Sequence, residues 1–248
     1  MSKAQNIYDN EVFFNEYQNM RANCNSANEL LEIPTIKKML PDFKGKKVLD
    51  LGCGAGGMSR FFADNGAKKV VAVDVSENMI EAARKEASHE NIEYVRMAME
   101  DLLNLSEKFD LVFSSLAFHY VEDFEKLMSD ISSLLLDGGE LVFSQEHPIV
   151  TSVVLDKGME NRIQLNGKRY YLVSDYNDNS KRVMHWNVDG VVKFHRNFST
   201  ILNSIILAGM KIVEVQESQP LSEAVKKVDK FKYQKDKPYY LFVRAQKI

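Results

Sequence analysis

The chain has 248 residues, 45% of them hydrophobic and 27% charged, with a formal net charge of -3. That balance suits one α/β domain with an insertion, or two small domains, and it excludes a strongly basic chain drawn to nucleic acid or anionic lipid. The start, MSKAQNIYDN, has no apolar signal core, no apolar run is long enough to span a bilayer, and Cys24 and Cys53 alone make neither a disulfide framework nor a zinc site.

The region from about Asp9 to Leu40 has a helical pattern. SANE, Ser26 to Glu29, is a capping box, and Pro34 suits the first position of a new helix. KKVLDLG then reads as a buried strand and GGMSRFFADNG as a helix closed by Gly66. KKVVAVDV is a second strand, and Ser76 caps the amphipathic helix ENMIEAARKEA. IEYVRMA is a third strand and FDLVFSSL a fourth. EDFEKLMSDISSLLL is a helix ending at the turn DGG, and GELVFSQE is a fifth strand. This alternation predicts parallel strands with crossover helices, a doubly wound α/β sheet. From His147 to Arg196 the pattern turns aromatic and hairpin-like, with DG at Asp189 and Gly190 as a hairpin turn signal. We expect an antiparallel insertion over the pocket that sets substrate choice. NFSTILNSIILAG returns to helix, MKIVEVQES to strand and PYYLFVRAQK to a last strand. The lysine-rich KKVDKFKYQKDK reads as a solvated loop, and Asp229 and Asp236 interrupt it as a nucleic-acid track.

Ligands of such sheets lie beyond the carboxyl ends of the strands. Asp50, Asp74, Glu100, Ser114, Ser115 and His147 all stand at or just past predicted strand ends. Gly52, Gly54 and Gly57 satisfy G-x-G-x-x-G, which serves a dinucleotide or S-adenosylmethionine. Asp50 discriminates between them. A carboxylate beside the loop disfavours a pyrophosphate, whereas S-adenosylmethionine has a cationic amino group and a cationic sulfonium. The alternative is that Asp50 only bonds turn amides. Asp74 can accept both ribose hydroxyls, or face the dipole of the helix after Ser76. Glu100 and Asp101 can meet an adenine amino group, or form a solvated turn. His119, Tyr120 and His147 are placed to face a substrate. For each histidine the competing reading is structural: His119 as a support of its loop, His147 as a turn bond before Pro148. His195 and Arg196 either meet an anionic substrate or brace the insertion. Tyr170, Tyr171, Tyr176 and Trp186 read as hairpin core or, from their position, as a lid.

These residues resemble the class I S-adenosylmethionine-dependent methyltransferases, in the subgroup called methyltransferase type 11. VLDLGCGAGG resembles the glycine motif, VVAVDVSENMIEAAR the acidic second-strand motif and MEDL the adenine loop. FDLVFSSLAFHYVED and LLLDGGELVFS resemble the fourth- and fifth-strand motifs, so that the likeness runs in order from about Lys46 to Ser144. The flanks FFNEYQNMR, SQEHPI and VVKFHRNFSTILNSIILAGM resemble an uncharacterised branch of small-molecule type. Ala98 departs from the pattern, which has a further acidic residue there.

The resemblance implies a Rossmann-like, mostly parallel seven-stranded sheet whose last strand is antiparallel. It implies a single domain over 1–248: an N-terminal helical cap (1–44), a cofactor-binding core (45–146), an insertion (147–196), and a C-terminal helix with two strands (197–248). Asp50, Gly52, Cys53 and Gly54 would then surround the methionine moiety. Asp74 would hold the ribose, Val75 and Met79 the adenine face, and Met99, Glu100 and Asp101 the adenine edge. Ser115 and Leu116 would lie near the sulfonium, and Tyr8, Tyr17 and Arg21 would close over the cofactor carboxylate. The expected reaction is in-line methyl transfer to a small-molecule acceptor, leaving S-adenosylhomocysteine, with no metal. The expected protein is cytoplasmic, a monomer or homodimer, with no nucleic-acid or membrane partner. A nicotinamide-dependent oxidoreductase and a noncatalytic adenosyl-ligand-binding protein are the alternatives.

Overall fold

The computed structural model describes residues 6–22, 25–153, 161–186 and 188–248, except for the side chains at 17, 18 and 20–22. A single turn, Ile7–Asp9, leads into α1 (Glu11–Ala22). The Ser26 hydroxyl then accepts the Glu29 amide at 3.2 Å, the expected capping bond. A wide helical turn, Asn28–Glu32, runs directly into α2 (Ile33–Met39), where Pro34 occupies the first turn.

The sheet units follow: β1 (Lys47–Leu51), α3 (Gly57–Asp64), β2 (Lys69–Asp74), α4 (Glu77–Glu86), β3 (Ile92–Arg96), β4 (Phe109–Ser115), α5 (Phe124–Leu134) and β5 (Leu135–Glu146). Beyond β5 come α6 (Pro148–Thr151), the hairpins β6 (Arg162–Leu165) with β7 (Lys168–Tyr171) and β8 (Lys181–Trp186) with β9 (Val188–Phe194), then α7 (Phe198–Leu207), β10 (Met210–Glu217), α8 (Ser222–Lys227) and β11 (Tyr240–Lys247). One seven-stranded sheet has the order β10-β11-β5-β4-β1-β2-β3. β1 to β5 pair in parallel, and β11 is antiparallel to both of its neighbours, β5 and β10.

Strands covered on both faces must be apolar on both. Leu49, Leu51, Val71, Val73 and Val112 pack on one face, under α5 and α7 through Leu127, Ile131, Ile201 and Ile205. Their neighbours Val48, Val70, Leu111 and Phe113 pack on the other, under α2 and α3 through Ile36, Met39 and Phe62. The period-two alternation thus divides one apolar run between two cores.

Three local expectations differ. The lysine-rich segment is not a plain loop: it holds the end of α8 and a tight helical turn, Asp229–Lys235, because Phe231 buries itself with Leu31 and Ala224. Asp189 and Gly190 are not the hairpin turn. Trp186 already pairs with Val188, and the register shifts where Gly190 takes φ +83°, a bulge within β9. α5 stops at Leu134, because Leu135 already pairs with Phe109 at the start of β5.

Candidate active site

The carboxyl ends of β1, β2, β4 and β5 open into one cavity of about 1000 Å³. The glycine loop forms its floor. The amides of Gly52 and Cys53 donate to Val73 O at 2.8 and 3.0 Å, so β2 holds the loop. Gly52 has φ +69°, and a Cβ there would lie 2.5 Å from the Ala117 Cβ. The third constrained glycine is Gly56, not Gly57. Gly56 has φ +81°, and a Cβ on it would meet the Tyr94 hydroxyl at 2.4 Å, whereas Gly57 faces open space.

Asp50, at the end of β1, is only 1% exposed. Burial pushes its carboxyl up to about 7, with the Ser59 bond at 2.5 Å opposing and nearby Asp74 adding to the rise. Asp74 accepts the amides of Gly54 and Ser76, each at 2.9 Å, and burial raises it as well. The Cys53 thiol, half-buried beside both carboxylates, is raised above the ordinary thiol range by desolvation and by those charges. Asp50, Gly52, Cys53, Gly54, Asp74, Val75, Met79, Met99 and Glu100 all line the cavity, with Ala98 among them. Asp101 does not; it is exposed. Two buried carboxylates beside the glycine loop suit a cationic ligand, and Arg60, which also lines the cavity, is bonded to Asp64.

Ser115 and Leu116 line the cavity where β4 ends. Leu116 has φ +53°, a strained conformation for leucine, held by its amide on Ser144 O at 3.0 Å. Ser115 and Ser144 both donate to Glu32, a fully buried carboxylate that ties the segment before α2 to β4 and β5. The N-terminal turn closes another side. Ile7 and Tyr8 line the cavity, and Asp9 accepts from the Ser76 hydroxyl at 2.6 Å and the Asn78 amide at 3.2 Å. The expectations for Tyr17 and Arg21 concern side chains outside the described residues.

The far wall comes from β5, β9 and the turn after β4. His119 and Tyr120 line it, their rings 4.4 Å apart. His119 Nδ1 is buried and has no hydrogen-bond partner among the described residues. Burial lowers its imidazole to about 3, despite Glu146, and Lys193 and Arg196 lower it further. From the insertion, Met184, His185, Trp186 and Lys193 reach the cavity. Tyr170, Tyr171 and Tyr176 do not line it. Tyr176 packs on His195 with ring centroids 5.9 Å apart, so Trp186 alone of the four expected aromatics faces inward.

His147 lies outside the cavity. Its Nδ1 accepts the Ile149 amide at 3.1 Å, capping α6, and its Nε2 donates to Glu217 at 2.8 Å. His195 and Arg196 brace the insertion. His195 accepts from Thr151 at 2.7 Å and donates to Tyr176 O at 2.9 Å, and Arg196 donates to the carbonyls of Val121 and Glu122. Sequence reasoning missed Glu32, Asp9 and the pair Glu146 and Lys193. Lys193 carried a signal all the same, since it shares the inward face of β9 with buried Val191 at a spacing of two.

Residues 49–143 match the methyltransferase domain family model. An uncharacterised protein of Haemophilus influenzae is 37% identical over the whole chain and 99% of its own length. A solved structure from Listeria monocytogenes, assigned as an S-adenosylmethionine-dependent methyltransferase, has a TM-score of 0.78 at 32% identity and covers 88% of this chain and 96% of that one. An S-adenosylmethionine-dependent methyltransferase from Mesorhizobium loti has a TM-score of 0.79 at 33% identity, covering 90% and 98%.

Proposed function

The chain belongs to the class I S-adenosylmethionine-dependent methyltransferases, and from that premise we propose that its acceptor is a small molecule enclosed between the glycine loop and the β8–β9 hairpin. The cofactor is S-adenosylmethionine, and the nicotinamide alternative falls with the family. The observation that carries the small-molecule reading is the cavity of about 1000 Å³ at the strand ends, at the upper end of ordinary ligand pockets. It has room for a cofactor and a modest acceptor, and the N-terminal turn and hairpin wall it in. We place the protein in the cytoplasm; no helix among the described residues is long and apolar enough to cross a bilayer.

In this reading Asp50 draws the cofactor's ammonium, directly or through water, and Asp74 accepts from the ribose hydroxyls. Val75, Met79, Met99 and Glu100 surround the adenine, and Leu116 and Ser115 present their backbone near the sulfonium. Bound S-adenosylmethionine supplies an electrophilic methyl group. The chain's own residues align the acceptor with it and exclude water. His119, held neutral, offers a ring nitrogen as a hydrogen-bond partner and shapes the loop; an imidazole lowered to about 3 is a weak base at neutral pH. The test is turnover of a metabolite library read as S-adenosylhomocysteine release. Release with a defined small acceptor supports the reading, and methylation of proteins alone would sink it.

A further inference from the structure

The wall opposite the glycine loop carries charges that a cationic cofactor does not require. Lys193 is 3% exposed, and its Nζ lies 2.6 Å from Glu146 at the end of β5. The same ammonium stands 4.7 Å from the Trp186 ring centre and 5.9 Å from that of Tyr120. Lys193, Glu146, Trp186 and Tyr120 all line the cavity. Behind them Lys237 is equally buried, at 3% exposure, 5.3 Å from the Tyr171 ring centre. Burial lowers the Lys237 ammonium, and Glu146 is the carboxylate that offsets this. The Glu146 carboxyl answers both lysines. Burial alone would raise it, yet the Lys193 and Lys237 ammonium groups hold it below its usual range.

Among the described residues two buried ammonium groups therefore draw on one carboxylate, and the surplus positive charge lies at this wall, with Lys193 in the cavity lining and Lys237 behind it. The cofactor side is mainly acidic, with Asp50, Asp74 and Glu100, and its Arg60 is bonded to Asp64. An ammonium has three donors, and Glu146 takes one from Lys193. A ligand that brings a second negative charge to this wall completes the balance, whereas a cationic ligand would add to the surplus and to the sulfonium opposite.

We propose that the methyl acceptor is a small organic anion, anchored through a carboxylate or phosphate on Lys193, with its apolar body against Trp186 and Tyr120. The inference rests on the small-molecule reading of the same cavity and names the class of molecule. Glu146 keeps the ammonium oriented, and Lys193 is the residue that selects for charge.

Trp186 is the chain's one tryptophan, so its fluorescence reports directly on this wall. Protein saturated with S-adenosylhomocysteine is titrated with benzoate, phenyl phosphate, methyl benzoate and benzylamine. We expect saturable changes with at least one of the two anions, whose relative affinity separates carboxylate from phosphate. The ester and the amine should bind about tenfold more weakly or worse. Lys193→Met should abolish the preference for anions and keep S-adenosylhomocysteine affinity within about twofold. The double variant Lys193→Met/Glu146→Gln removes the pair without leaving a lone buried charge, and it should behave the same way. Equal binding of ester and acid, an anion preference that survives both variants, or no anion binding at millimolar concentration would overturn the inference. If library turnover instead yields a neutral or cationic small acceptor, this inference falls and the small-molecule reading stands. If no small molecule turns over and only protein is methylated, both fall.

Discussion

The carboxylate of Asp9 accepts the hydroxyl of Ser76 at 2.6 Å, and so a residue of the first turn latches onto the start of α4. The amides of Asn78 and Glu77 also point at Asp9, at 3.2 and 3.4 Å. Burial tends to raise the Asp9 carboxyl, but the bonds from Ser76, Asn78, Asn6 and Glu77 outweigh it, and the group is lowered. A lowered carboxyl contributes above its usual range and loses that contribution as pH falls through the lowered value. Asp9→Ala removes an anion at a helix N-terminus, a change of about 0.5–2 kcal/mol. We expect it to loosen Ile7 and Tyr8 over the cavity, weakening cofactor binding and speeding proteolysis within α1. Calorimetry and limited digestion check it, and unchanged rates of cleavage would mean that the latch does not hold the cap.

Asp50 behaves in the opposite sense. Its carboxyl is raised from 3.8 to about 7, so its contribution to the stability of the ligand-free fold is present at low pH and is lost as pH rises through about 7. Binding of a cation reverses the preference, because the ionised form is wanted. Cofactor affinity should therefore climb by up to about tenfold per unit as pH approaches 7, with proton release on binding. Asp50→Asn should flatten the climb. An identical pH dependence in the variant would remove Asp50 from the account.

His119 makes a contrasting expectation. An imidazole lowered to about 3 is neutral throughout the working range, so it sets no limb near neutrality. His119→Asn should change turnover and acceptor affinity together and leave the pH–rate profile in place. Loss of an acid limb, with turnover down about 100-fold, would instead mark it as the base.

Asp74→Ala should weaken cofactor binding by about 1.5–3 kcal/mol, the range for bonds to charged groups. The variant also frees the amides of Gly54 and Ser76 that Asp74 now accepts, so its thermal midpoint should fall as well. Affinity that does not change would move the ribose elsewhere.

Gly52→Ala meets two obstacles: a φ of +69° and a Cβ contact of 2.5 Å with Ala117. The strain alone is about 1–2 kcal/mol, and relief must shift the turn that carries His119. Gly57→Ala has open space and no such strain. We expect Gly52→Ala to lose cofactor affinity and Gly57→Ala to keep it, by the same titration. Equal behaviour would contradict the assignment of the constrained glycines.

The succession of strands and helices and the carboxylates at strand ends were legible because their cause is local. A run such as Val70 to Val73 is apolar on both faces, and Asp74 ends it at the ligand edge. Gly56 was not distinguishable from Gly57, because the difference is a backbone angle and the proximity of Tyr94, on a different strand. His147 and Asp101 stand at plausible positions in the sequence. One turns aside to cap α6 and meet Glu217, and the other faces solvent. The Glu146–Lys193 pair depends on how β9 lies against the end of β5, which no local pattern specifies.

The position of β11 has a consequence for the order in which the protein can be finished. β11 threads between β5 and β10, pairing Tyr240 with Glu146 and Leu241 with Glu217. While the ribosome is still making residues 240–247, β5 and β10 both have open edges, and the Tyr239–Tyr240 part of the cavity wall does not yet exist. The nascent chain can assemble its glycine loop early from neighbouring segments, but the cavity wall at Glu146 waits for a contact about a hundred positions on, at Tyr240. That makes the wall a late event in biosynthesis, and the unpaired edges a window in which a stalled chain is prone to aggregate.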